Sequence, residues 1–240
     1  MARVAFVTGG TRGIGRAICE RLVADGLKVA AGYSGNEAAA EACAKELGVT
    51  VVKGNVGSFE DCQAAVAKVT AELGPIDVLV NNAGITRDGF LHKMTYEQWS
   101  EVIRVNMDSA FNMTRPVIEG MRERGWGRIV NISSINGQKG QVGQTNYSAA
   151  KAGLIGFTKA LALENAKKGV TVNVICPGYI DTEMVAAVPE TVLAGIIGAI
   201  PVGRLGKGEE IADMVSFLAG ERAGFVTGAT LSLNGGQYLA

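Results

Sequence analysis

The chain has 240 residues, with Lys+Arg and Asp+Glu both at 23, so its formal net charge is zero. At the level of bulk charge nothing points to a nucleic-acid-binding or membrane-surface protein. No apolar run reaches the ~20 residues of a membrane span, and glycines interrupt the N-terminal MARVAFVTGG where a signal peptide needs its apolar core. A cytoplasmic location is therefore expected. The four cysteines, Cys19, Cys43, Cys62 and Cys176, have no metal-ligand spacing and read as reduced, mostly buried thiols. With His92 as the single histidine, a His-based metal site or a Ser-His-Asp triad is not expected, and no metal is assigned.

Strand-like runs are predicted at Val4–Thr8, Lys28–Gly32, Thr50–Gly54, Ile76–Asn81, Arg128–Ile132, Thr171–Cys176 and Ala229–Leu233. They are continuously apolar, not alternating, as strands of a parallel sheet covered on both faces must be. Helical patterns lie between them. Gly13–Asp25 repeats Ile14, Ile18 and Leu22 at four-residue spacing; Asn36–Leu47 and Ser58–Leu73 are Ala-rich, with Ser58 as N-cap. Thr95 and Gln98 form a capping-box signature that opens a long helical region to Arg124, in which Pro116 predicts a kink or break. Tyr147–Lys168 and Gly208–Leu218 complete the set, and Gly178–Gly206 is the irregular part. Strand–helix alternation without linker or repeat predicts one doubly wound α/β domain over residues 1–240, a Rossmann fold with a seven-stranded parallel sheet and helices on both faces.

The first strand runs into TGGTRGIGRAI, where Gly9, Gly13 and Gly15 permit a sharp turn and close approach of a pyrophosphate to a helix N-terminus. No Gly-Lys-Ser/Thr follows, so the loop is not a Walker motif. Asn55, Asn81-Asn82-Ala83-Gly84 and Pro177-Gly178 close the third, fourth and sixth strands, at the carboxyl ends where ligands of open α/β sheets bind; Asn and Gly are also ordinary turn formers. The chemistry is expected in NISSINGQKGQVGQTNYSAAK, residues 131–151. Tyr147 and Lys151 are four apart and share a helix face, and Ser134 starts the preceding loop.

TGGTRGIG, NNAG, Asn106, the Ser134/Tyr147/Lys151 set and PGYIDT together resemble the short-chain dehydrogenase/reductase family, in order and spacing, over essentially the whole chain. The resemblance implies the sheet order 3-2-1-4-5-6-7 and a catalytic tetrad. Tyr147 would protonate the carbonyl oxygen, Lys151 would lower the phenol pKa and hold the nicotinamide ribose, and Ser134 would bond the substrate oxygen. Asn106 would hold a water linking Lys151 to solvent. Ser133 competes with Ser134, but the family's spacing of thirteen residues to the tyrosine selects Ser134. The cofactor would contact Gly9, Thr11, Arg12, Gly13, Ile14, Gly15, Tyr33, Ser34, Asn55, Val56, Asn82, Ala83, Gly84, Tyr147, Lys151, Pro177, Gly178 and Ile180. Strand two ends in Gly32-Tyr33-Ser34-Gly35-Asn36 with no carboxylate before Glu37, and Arg12 can pair with a 2′-phosphate, so NADPH/NADP+ is expected over NAD.

Within the family the Gln- and Gly-rich loop is most similar to the acetoacetyl-CoA reductase branch of polyhydroxybutyrate synthesis. That likeness implies acetoacetyl-CoA or another short 3-ketoacyl thioester as substrate, contacted by Asp88, Lys93, Ser134, Gln141, Val142, Gln144, Tyr147 and Tyr179. Glutamine amides can bond a thioester or pantetheine carbonyl without adding charge. Val142 departs from the pattern, where a relative carries an aromatic residue. The rival is a 3-oxoacyl-[acyl-carrier-protein] reductase, whose acidic partner needs a basic patch; Arg122, Arg124, Arg128, Lys167 and Lys168 are candidates, for a carrier protein, for CoA phosphates, or as solvated charges. A catalytically inactive nucleotide-binding protein is the third reading. The apolar segment Val185–Ile200 reads as a substrate lid within residues 179–206, or as a packed helix. A homotetramer is what the family likeness implies.

Overall fold

In the computed structural model, which describes residues 2–182 and 190–239, seven strands form one parallel sheet in the order β3-β2-β1-β4-β5-β6-β7. They are β1 (Val4–Val7), β2 (Lys28–Tyr33), β3 (Thr50–Lys53), β4 (Ile76–Asn81), β5 (Gly127–Ile132), β6 (Val170–Pro177) and β7 (Thr230–Leu233). Each lies within two residues of its expected bounds, because an uninterrupted apolar run can be satisfied only by burial on both faces. The register pairs Ala5 with Val29 and Val78, and Val130 with Asn173.

The helices on one face are α1 (Gly13–Ala24), α2 (Glu37–Leu47) and α9 (Gly208–Ala219); on the other are α3 (Phe59–Leu73), α5 (Ser109–Arg124) and α7 (Thr145–Asn165). Ile18 and Leu22 of α1 join Val215 and Leu218 of α9 in one core layer, while Val69, Met113 and Met121 join Phe6, Leu79 and Ile129 in the other. Asn36 and Ser58 cap α2 and α3 by accepting from Ala39 N (3.0 Å) and Asp61 N (3.1 Å). The order reverses between β1 and β4, so the loops leaving their carboxyl ends diverge and open a crevice.

The capping box at Thr95 forms as expected and starts α4 (Tyr96–Ile103). Of the kink or break expected at Pro116, the break does not occur: α5 runs through it to Arg124. The irregularity lies earlier, in one π turn at Arg104–Asp108 between α4 and α5, and this turn carries Asn106. A proline removes one N–H, which a well-packed helix tolerates, whereas a π turn shifts every carbonyl around it. Two other boundaries differ. A short helix, α6 (Ile135–Lys139), stands inside the expected loop, and α7 begins at Thr145, two residues before Tyr147. Within the irregular segment, α8 (Glu190–Gly198) has no buried residue although it is apolar, and Val185–Pro189 of the expected lid lie outside the described residues. Among the described residues no helix is long and apolar enough to cross a membrane, and no His/Cys/Asp/Glu cluster could hold a metal. All four cysteines are buried and free.

Candidate active site

The glycine loop after β1 is built by close contact. Gly9 and Gly13 take φ of 62° and 50°, which side chains resist. A methyl on Gly15 would stand 2.1 Å from Gly9 O and 2.6 Å from Asn82 Nδ2, so only glycine lets α1 begin against the turn. Asn82 Nδ2 donates to Thr8 O (2.9 Å) and Gly9 O (3.2 Å), while Asn82 N and Ala83 N both donate to Thr8 Oγ1 at 3.0 Å. The NNAG segment therefore ties the end of β4 to the end of β1, and the Asn82 side chain is a brace of the cradle. Thr11 is buried in the loop; Arg12 is exposed at the N-cap of α1 and makes no ion pair among the described residues.

Tyr33 ends β2 and Ser34 follows it, Asn55 and Val56 follow β3, and Pro177 ends β6 with Gly178 and Ile180 after it, all on the same carboxyl edge as the loop. Asn55 Oδ1 accepts from Gly57 N (3.0 Å), and Val56 O accepts from Asn112 Nδ2 (3.0 Å), which fixes the β3 turn over the crevice. Gly178 packs on Asn234, where a methyl would meet Cα at 2.8 Å. Glu37, the first carboxylate after β2, is engaged by Lys53 (Oε1–Nζ 2.6 Å). A glycine loop that opens onto a helix N-terminus fits the pyrophosphate of a dinucleotide.

Three consecutive residues at the end of β5 set the catalytic group. Ile132 O accepts from the buried Lys151 Nζ at 2.7 Å. Ser133 Oγ donates to the main-chain carbonyl of Lys151, also at 2.7 Å, and Ser133 N donates to Ile175 O at 2.7 Å, so the turn of α7 that bears the lysine is held onto β5 and β6. Ser134 Oγ caps α6 by accepting from Asn136 N (3.1 Å), and its hydroxyl partly opposes the rise that burial causes in the Tyr147 phenol pKa. The two serines are engaged differently: Ser133 Oγ is spent on the backbone of α7, and Ser134 Oγ on the first turn of α6.

The electrostatics differ from expectation in one respect. Burial pushes the Tyr147 phenol up, the Ser134 hydrogen bond only partly opposing it and Asp88 adding to it, so the net shift is upward and not downward. Lys151 Nζ stands 5.6 Å from the phenol ring centroid, and burial pushes its ammonium down to about 8. Asn106 is buried on the π turn, with Nδ2 donating to Ile85 O (2.8 Å) and Val102 O (2.9 Å) and Oδ1 accepting from Ile85 N (3.3 Å). Its amide hydrogens are spent on backbone, leaving Oδ1 as the face toward the lysine. A methyl on Gly84 would lie 2.5 Å from that Oδ1 and 3.5 Å from Lys151 Nζ, so the glycine keeps open the space between the two.

The substrate-side residues divide. Gln144 Nε2 donates to both Asp88 oxygens (3.1 and 3.0 Å), and its Oε1 accepts from Asn136 Nδ2 (2.9 Å). Gln144 is therefore engaged at both ends, whereas Gln141, Val142 and Lys93 are exposed, and Tyr179 is half-buried beyond Gly178. Asn136 is missing from the sequence reading. Its signal is a polar residue two places after Ser134, but its partner lies across a turn that spacing does not define. The candidate basic patch does not form at this mouth. Arg122 donates to Glu164 O and Asn165 Oδ1, Arg124 to Ile76 O, and Arg128 is buried with bonds to Gly127 O, Gly169 O and Gly220 O. Lys167 and Lys168 precede β6, and the three arginines end α5 or begin β5, so all five lie at the amino edge of the sheet, opposite Ser134.

Against families of known proteins, residues 3–193 match the short chain dehydrogenase model. Acetoacetyl-CoA reductase of Rhizobium meliloti (strain 1021) is 64% identical over all of both chains. Acetoacetyl-CoA reductase of Paracoccus denitrificans is 60% identical over 99% of each. A 3-oxoacyl-[acyl-carrier-protein] reductase of Escherichia coli (strain K12) is 47% identical over 99% of this chain and 98% of its own.

Proposed function

The chain belongs to the short-chain dehydrogenase family, and on that premise we propose that it reduces acetoacetyl-CoA to (3R)-3-hydroxybutyryl-CoA with NADPH, the reductive step of polyhydroxybutyrate synthesis. The glycine loop would hold NADPH, with Arg12 available to pair with its 2′-phosphate, and the bound cofactor would supply the hydride. The protein's own groups do the rest. Ser134 Oγ and the Tyr147 hydroxyl converge on the ketone oxygen; the serine orients it, and the phenol gives it a proton as negative charge develops. A phenol raised by burial stays protonated at neutral pH, as an acid must before it donates. Lys151, fixed by Ile132 O, holds positive charge beside the phenolate that remains. The space Gly84 leaves between Lys151 Nζ and Asn106 Oδ1 supports a bridging water through which the proton is resupplied.

The observation that carries CoA over a carrier protein is the fate of the basic residues. An acidic carrier protein docks on cations beside the mouth, and at the opposite edge Arg124 and Arg128 are spent on backbone and Arg122 on Asn165 and Glu164 O. The higher identity to acetoacetyl-CoA reductases agrees. Steady-state kinetics with acetoacetyl-CoA and acetoacetyl-carrier-protein, each with NADPH and with NADH, test the reading. We expect the highest kcat/KM for the CoA thioester with NADPH. A far higher value for the carrier-protein thioester would reverse the substrate, and equal values for the two nucleotides would remove the role of Arg12.

The groove of about 560 Å³ between α5 and α7, lined by Phe111, Ile118, Phe157 and Leu161, supports a homotetramer assembled through these helices. Light scattering is expected to give four times the chain mass, and a monomer mass would refute it.

A further inference from the structure

Beyond the catalytic group, the two loops at the mouth are stapled to each other. Asp88 meets Gln144 through two hydrogen bonds, and Gly89 N donates to Gly143 O at 2.8 Å. These two pairings run antiparallel, 88 with 144 and 89 with 143, so the next residues along the loops are Phe90 and Val142. Both are turned outward, at 58% and 78% exposure. An exposed phenylalanine at the rim of a polar loop gains little from folding, since more than half of its area stays in water. The ring of His92 stands 5.9 Å from that of Phe90, and Lys93 ends the same turn, exposed and in no ion pair among the described residues. The base of this lip is continuous with the chemistry, because Gln144 bonds Asn136, whose N–H is held by Ser134 Oγ.

We propose that Phe90, on the lip it forms with Val142, takes the adenine end of the CoA thioester by stacking, with Lys93 facing its phosphates. The inference rests on the acetoacetyl-CoA reading and specifies how the far end of that substrate is recognised. The chemistry is selective. A purine offers a π face to Phe90, and a pyrophosphate with a ribose phosphate offers anionic charge to Lys93; Val142 offers neither. A carrier-protein thioester has the pantetheine arm but no purine, so the same lip distinguishes the two carriers. Stacking on a side chain is worth about a decade in affinity.

The test uses Phe90→Ala in the full-length protein, an exposed change that leaves both core layers intact. We expect KM for acetoacetyl-CoA to rise about tenfold with kcat within twofold, since the contact is remote from the reacting carbon. With acetoacetyl-N-acetylcysteamine, which lacks nucleotide and most of the arm, kcat/KM should be the same in parent and variant. Free CoA, titrated calorimetrically, should bind the variant about tenfold more weakly. An equal loss on both thioesters would show that Phe90 only shapes the loop, and an unchanged KM for acetoacetyl-CoA would show that the purine goes elsewhere; either overturns the lip. A parent that reduces the truncated thioester as well as it reduces acetoacetyl-CoA overturns the lip while leaving ketone reduction standing. A parent that reduces neither overturns the functional reading itself.

Discussion

Replacing Tyr147 by phenylalanine is expected to lower kcat for ketone reduction by about 10²–10⁴-fold while NADPH binding changes less than twofold, because a general acid contributes on that scale. The substitution removes one oxygen and keeps the ring. The residues that hold the ring's surroundings do not depend on that oxygen: Lys151 Nζ is fixed by Ile132 O, the α7 backbone by Ser133 Oγ, and the Ser134 hydroxyl oxygen by Asn136 N. The glycine loop lies across the crevice and is braced by Asn82 independently of α7. Turnover should therefore fall without a matching loss of cofactor affinity or of Tm. Single-turnover kinetics and NADPH fluorescence titration measure the two quantities separately. A variant within tenfold of the parent would place the acid elsewhere, and a parallel loss of NADPH affinity would make the phenol a binding group.

How much of this was legible beforehand depends on the distance over which each feature is encoded. Strands such as Ile76–Asn81 were readable because a doubly covered strand needs only its own apolar run. The caps at Ser58 and Thr95 were readable because cap and N–H lie three residues apart. Tyr147 and Lys151 were readable as a pair for the same reason, although their assignment to catalysis came from resemblance. Asn106 illustrates the limit. Its amide reaches Ile85 O and Val102 O only because a π turn rotates it inward, and nothing in RVNMD announces that turn over the more conspicuous Pro116. The Asp88–Gln144–Asn136 chain joins residues 56 apart, and the arginines before β5 looked like a patch until their carbonyl partners were known. The upward push of burial on the Tyr147 phenol is illegible for a related reason: a charge four residues away is visible in sequence, whereas burial is set by the whole fold.

Gly15→Ala should bring the second large effect, and it acts on the cofactor and not on the proton. The added methyl would meet Gly9 O at 2.1 Å and Asn82 Nδ2 at 2.6 Å. Neither neighbour can yield cheaply. Gly9 O is backbone in a turn at φ 62°, and Asn82 Nδ2 is already bonded to Thr8 O and Gly9 O. Either α1 moves away from the loop, which opens the cradle, or the Asn82 brace breaks, which frees the end of β4 from β1. Overpacking of this kind costs about 1–3 kcal/mol, or about 2–12 °C in Tm for a domain this size. The cradle is where a pyrophosphate must approach backbone N–H groups, so NADPH affinity should fall by at least about tenfold, the equivalent of ~1.4 kcal/mol. Gly156→Ala supplies the contrast. That position sits inside α7 with no atom of its own chain within 4 Å of an added methyl, and far from the glycine loop, so the change should leave NADPH affinity alone. If Gly15→Ala binds NADPH as tightly as the parent does, the close approach of loop and helix is not what holds the pyrophosphate, and the cradle must be sought among the turns after β2 and β3.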